Sequence, residues 1–102
     1  MKYTEEQITN KAKQVMKDLD GQFYTEECID GILFKENETV GYGRFEGKQK
    51  SIWTVHINAI FDNIDLLFLS DETGEPLYYH NFNMILFEIE KDNKGVYSKK
   101  ED

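Results

Sequence analysis

The chain has 102 residues, with 12 Lys and Arg against 20 Asp and Glu, for a formal net charge of −8. That length suits one hydrophobic core, and the acidic balance makes duplex nucleic acid a poor partner, because affinity there comes from cations that displace counterions from phosphates. A single cysteine, Cys28, excludes an intrachain disulfide, and no run approaches the roughly 18 apolar residues that would cross a bilayer.

The N-terminus carries Glu5 and Glu6 and no apolar stretch, so it is not a secretory signal, and a cytoplasmic protein is expected. Thr4-Glu5-Glu6-Gln7 matches a capping box, in which a Thr hydroxyl and a Gln side chain each satisfy a free backbone N–H at a helix start. Ile8, Ala12, Val15, Met16 and Leu19 follow at helical spacing and predict an amphipathic helix that ends at Asp20-Gly21.

The period then changes to two. Strands are expected over Cys28–Lys35 and Thr39–Glu46, joined by a polar turn at residues 35–38. Gly41 and Gly43 in the second of these mark a bulge or the close approach of another element. Ser51–Asn58 alternates cleanly, with Trp53, Val55 and Ile57 on one face and Ile52, Thr54, His56 and Asn58 on the other. Ile64–Ser70 is nearly apolar on both faces, as a central strand or one covered by the helix should be. Leu77–His80, Met84–Glu90 and Val96-Tyr97 complete the set, and residues 98–102 are expected to fray. One helix followed by short strands predicts an α+β domain over residues 1–97, with the helix on one face of an antiparallel sheet of five or six strands.

No reactive constellation stands out. Asp71-Glu72-Thr73-Gly74-Glu75 lies between two strands, where every residue has turn chemistry, and its spacing departs from the calcium loop D-x-[DN]-x-[DN]-G-x5-E. Cys28, His56 and His80 form no close ligand pair for zinc. No metal site, cofactor or catalytic residue is therefore expected. The negative charge is concentrated instead: residues 61–80 carry five acids and no Lys or Arg.

Trp53-Thr54-Val55 and the hairpin from Leu66 through Asp71, Thr73, Gly74 and Leu77 resemble the W-x-V strand and D-x-x-T-G hairpin of small bacterial PepSY-type domains. They also resemble some immunity proteins of the nuclear-transport-factor-like fold. In both, a leading helix packs on a meander. The resemblance implies a protein that binds a protein, and it carries no active-site residue onto this chain.

The expected function is a non-catalytic acidic module that binds a basic protein, in the manner of an immunity-type inhibitor. Its contact residues would be Asp62, Asp65, Asp71, Glu72 and Glu75, with Tyr78 or Tyr79 as an aromatic anchor, since adjacent strand residues face opposite ways and one should reach solvent. The alternatives are a small-ligand or enzymatic domain with a helix–sheet cleft and His56 or His80 as acid–base group, and a homodimer of purely structural role. On this expectation, neutralising Asp71, Glu72 and Glu75 together weakens binding and flattens its salt dependence, which titration at two ionic strengths would measure.

Overall fold

The capping box forms as the pattern predicts. Thr4 Oγ1 accepts the backbone N–H of Gln7 at 3.1 Å, and Gln7 Oε1 accepts that of Thr4 at 2.8 Å. These bonds start α1 (Glu5–Asp20), which stops at Gly21, whose φ of 56° a helix cannot continue. In the computed structural model, which describes residues 1–100, α1 lies across a six-stranded antiparallel sheet, an α+β fold. The strands are β1 (Ile29–Thr39), β2 (Gln49–Asn58), β3 (Ile64–Ser70), β4 (Pro76–His80), β5 (Leu86–Lys91) and β6 (Tyr97–Lys99), and their spatial order is their chain order.

The apolar stripe of α1 and one face of the sheet make the main core. Ile8, Ala12, Val15 and Met16 pack on Trp53, Val55, Ile57, Leu67, Leu69, Tyr79, Ile89 and Tyr97, all buried. Each large side chain hidden this way contributes about 1.5–3 kcal/mol. Cys28 packs into the same core, and burial pushes its thiol up from its ordinary value, so it is held as a small apolar group.

Three expectations for the chain between the elements need correction. Residues 35–38, expected as a turn, lie inside β1, where a register shift between Lys35 and Glu38 and a left-handed Asn37 at φ 56° mark a bulge. Thr39–Glu46, expected as a strand, leaves the sheet after Thr39. Residues 40–48 fold instead over the face away from α1, where Val40 and Tyr42 pack on Ile52, Leu77 and Tyr78. The two glycines permit that approach: a Cβ on Gly41 would lie 3.0 Å from the Tyr78 hydroxyl, and one on Gly43 would lie 3.0 Å from Glu88 Oε2. Finally, Ser98 and Lys99 are not a tail. They pair with Glu90 and Ile89, and the amide of Lys100 donates to the Glu88 carbonyl at 2.8 Å. Glu101 and Asp102 lie outside the described residues.

The N-terminal segment is fastened by one carboxylate. Asp71, just past β3, is 5% exposed and accepts the backbone N–H groups of Lys2 at 2.6 Å and Tyr3 at 3.1 Å, and the indole N–H of Trp53 at 2.8 Å. Burial alone would raise its pKa. The hydrogen bonds from Lys2, Trp53 and Tyr3 outweigh burial and hold the carboxyl below its ordinary value. Asp71→Ala leaves three donors without a partner and should cost about 3 kcal/mol in urea unfolding. Because the folded pKa is depressed, the contribution is complete above about pH 5 and is lost as pH falls through the lowered folded value, which the acid limb of a stability–pH profile would show and Asp71→Asn would flatten.

Candidate functional site

Strand β3 separates the acids that the sequence groups together. Asp62 and Asp65 sit at its start and Asp71, Glu72 and Glu75 follow its end, roughly 20 Å away at about 3.3 Å per residue. The two ends differ in how their charge is satisfied.

At the β3–β4 hairpin the carboxylates are committed within the chain. Asp71 is buried as described. Glu75 receives Lys91 Nζ and the Tyr97 hydroxyl, with Lys11 Nζ 3.5 Å away. Burial pushes the Glu75 carboxyl up, but the bonds from Lys91 and Tyr97 and the charge of Lys11 prevail and hold it below its ordinary value. Only Glu72 is exposed, and it pairs with Lys50 at 3.4 Å. The turn geometry itself is as expected, with Gly74 at φ 73° and its N–H donating to the Ser70 carbonyl at 2.8 Å. Neutralising Asp71, Glu72 and Glu75 together therefore strikes the fold before it reaches a partner.

Neither tyrosine reaches solvent, contrary to the expectation for an anchor: Tyr78 is 8% and Tyr79 5% exposed. They do point to opposite faces, but each face is covered there, by α1 over Tyr79 and by residues 40–48 over Tyr78. Tyr78 stacks on Phe68 with ring centroids 4.3 Å apart. The Tyr79 hydroxyl donates to Asp65 at 2.7 Å, and the Asp65 carboxylate also accepts the Phe82 N–H at 2.9 Å. Burial, followed by the Asp65 carboxylate, pushes the Tyr79 hydroxyl far up, so it remains a donor. Asp65 is thus a second internal acceptor, beside a cavity of about 100 Å³ lined also by Asp20 and Lys99.

His56 and His80 lie on the sheet face opposite α1, on either side of Leu66 in one cross-strand row. They line neither the cavity of about 340 Å³ that opens between residues 44–45 and β4–β6, nor the one between α1 and the β3–β4 hairpin, nor the one beside Asp65. Among the described residues, no three His, Cys, Asp or Glu side chains are placed to hold a metal ion. No described helix is long and apolar enough to cross a membrane.

The remaining acid, Asp62, belongs to a different kind of surface. The β2–β3 and β4–β5 connections and the approach to β1 come together at one end of the sheet, and α1 ends there too, with Leu19 and Asp20 beside Asp65 and Asn81. This end exposes large apolar side chains on its turns: Phe61 is 89%, Phe23 79%, Met84 75% and Ile85 56% exposed. Phe61, Asp62 and Met84 have left-handed backbones, at φ 55°, 61° and 65°, a conformation costly for non-glycine residues. Glu26, Glu27, Asp30 and Asp62 are exposed around them. Residues 18–34 and 51–90 contain no Lys or Arg, and among the described residues only Glu26 of these four acids has an ion pair, with Lys13 at 3.7 Å.

No protein-family model, curated protein or solved structure matches the chain. The apolar tips are hidden in the sequence because Met84 and Ile85 continue the apolar run expected as a strand over Met84–Glu90, whereas β5 begins only at Leu86, and because Phe61 sits beside Asp62 and Asn63 in a turn. Apolar residues inside such turns were the available signal. Because the left-handed backbone at Phe61 is costly for a bulky residue, Phe61→Asn, a residue that tolerates that region, should raise unfolding free energy by about 0.5–1 kcal/mol in urea titration, although it removes an aromatic ring.

Proposed function

We propose that this chain is a non-catalytic protein-binding domain, whose acidic, apolar-tipped end docks a basic protein partner in the manner of an immunity-type inhibitor. The observation that carries this reading is Phe61: an almost fully exposed aromatic on a left-handed backbone, next to Asp62. An exposed apolar group held in an unfavourable conformation is a cost to the free chain, and contact with a partner recovers it. Around it lie the exposed carboxylates of Glu26, Glu27, Asp30 and Asp62, all in stretches of chain without Lys or Arg. A basic surface is steered toward such an end, whereas an anionic membrane is repelled by it. The resemblance to immunity-type inhibitors, stated above on Trp53-Thr54-Val55 and the Asp71–Leu77 hairpin, agrees with a protein as the partner. The contact set moves accordingly: Asp62 stays in it, while Asp65, Asp71, Glu75, Tyr78 and Tyr79 support the fold.

The immobilised chain should retain basic proteins from a cell extract and release them at about 1 M salt, where the screening length is about 3 Å. With a retained partner purified, Glu27→Gln, Asp30→Asn and Asp62→Asn together should slow association about tenfold and reduce its salt dependence. Phe61→Asn with Met84→Asn should instead speed dissociation about a hundredfold. Equal retention of the same proteins by both variants would refute the assignment.

A further inference from the structure

The two edges of the sheet are finished differently. At β6 the edge is three residues long and is followed by Lys100, a short and charged edge of the kind that discourages further pairing. At β1 the edge runs for 11 residues and pairs with β2 alone. Its register shifts fall near the ends, between Ile29 and Gly31 and between Lys35 and Glu38. Between them Gly31–Lys35 pairs regularly, with Ile32, Leu33 and Phe34 in a row and no proline.

The direction of the free backbone groups follows from the pairing. The Ser51 carbonyl accepts the Asp71 N–H at 2.9 Å, so Ser51 faces β3, and the alternate residues Ile52, Thr54 and His56 face β1. Asn58, in the same phase, donates its N–H to the Cys28 carbonyl at 2.7 Å. The partners of Ile52, Thr54 and His56 are Lys35, Leu33 and Gly31. Ile32 and Phe34 therefore turn their N–H and C=O groups away from the sheet, and among the described residues these groups have no partner. Their side chains lie at the margin of the main core, with the Phe34 ring 4.8 Å from that of Trp53.

We infer that β1 takes an extended, cationic segment of the partner as a seventh strand, its backbone bonded to Ile32 and Phe34. This deepens the proposed function and rests on it for the class of partner. The free groups select an extended chain, which alone can meet alternate N–H and C=O groups along an edge. Charge selects the sign. Glu26, Glu27 and Asp30 precede the open stretch and Glu36 and Glu38 follow it, while Lys35 is the only cation in residues 26–39. A second copy of β1 would bring acids against acids at both ends, whereas a strand with cations at its ends is attracted there. An added strand would also cover the exposed margins of Ile32 and Phe34 and so extend the core.

The probe is a synthetic peptide of about nine residues, a Val-Thr repeat with paired lysines at each end. Titrated into the full chain at neutral pH and low salt, it should bind with a dissociation constant of about 10–100 µM. By NMR, the amides of Ile32 and Phe34 should exchange freely in the unbound chain and at least about tenfold more slowly at saturation, while those of Leu33 and Lys35 are protected throughout. The same peptide N-methylated along its repeat keeps its charge but has no N–H to donate there, and should bind at least about tenfold more weakly. Ile32→Pro removes an outward N–H and no bond to β2, so the chain should fold and lose the peptide to a similar degree. The N-methylated peptide decides the matter if Ile32→Pro fails to fold by circular dichroism. Equal binding of both peptides, unchanged exchange at Ile32 and Phe34, or no binding to about 1 mM would overturn the inference. Retention of basic proteins unaffected by a folded Ile32→Pro would overturn the strand site and leave the acidic end as the docking surface. Peptide-slowed exchange at Ile32 and Phe34, with no basic protein retained from an extract, would uphold the strand site and refute the proposed function alone.

Discussion

The carboxylate of Asp71 joins three parts of the chain that are far apart in sequence. It holds the first residues through two backbone N–H groups and β2 through the Trp53 indole, while itself lying at the end of β3. A buried acceptor with three donors is more demanding than an apolar contact, because each bond has a direction and each loss leaves a desolvated group. The capping box at Thr4 begins at the residue directly after the tethered pair. The register of α1 on the sheet, and with it the burial of Ile8, Ala12, Val15 and Met16, therefore follows from where Asp71 holds Lys2 and Tyr3.

Internal commitment of this kind sorts the twenty acids. Asp65, Asp71, Glu75 and Glu88 each accept two or more hydrogen bonds from within the chain and act as fasteners for Tyr79, the N-terminal segment, Tyr97 and the 40–48 loop, respectively. Their potential is partly cancelled by the groups they bind. Of the acids without such partners, Glu26, Glu27, Asp30 and Asp62 lie at the opposite end of β3, around Phe61 and Met84. A net charge therefore says little about where a partner would be drawn until the internally paired carboxylates are set aside.

Two surfaces of contrasting chemistry result. One is charged, with exposed apolar tips on left-handed backbones, and the other is a sheet face without charge at its centre. They meet where Gly31 and Ile64 on the flat face adjoin Asp30 and Asp62 at the charged end. The loop over Tyr78 and Glu88 separates the flat patch from the hairpin end, and it can do so only because Gly41 and Gly43 offer no side chain to meet Tyr78 and Glu88.

Local chemistry alone determined much of this protein. The Thr4–Gln7 capping box, the 3.6-residue period of α1, the two-residue period of Ser51–Asn58 and the Gly74 turn are set by neighbours within a few residues, so helix, central strands, hairpin and the α+β class were legible from the residues themselves. What lay between Lys35 and Gly47 was not. A polar run with a left-handed Asn37 makes a bulge or a turn equally well, and only pairing with Lys50 and Gln49 makes it strand. The same holds for the candidate site. Whether a carboxylate meets solvent, an indole or a tyrosine depends on residues up to 69 positions away, and whether Tyr78 is exposed depends on a loop that crosses its face. Tertiary structure made those decisions, because burial and hydrogen-bond partnership are properties of what comes near in space and not of the residue that receives them.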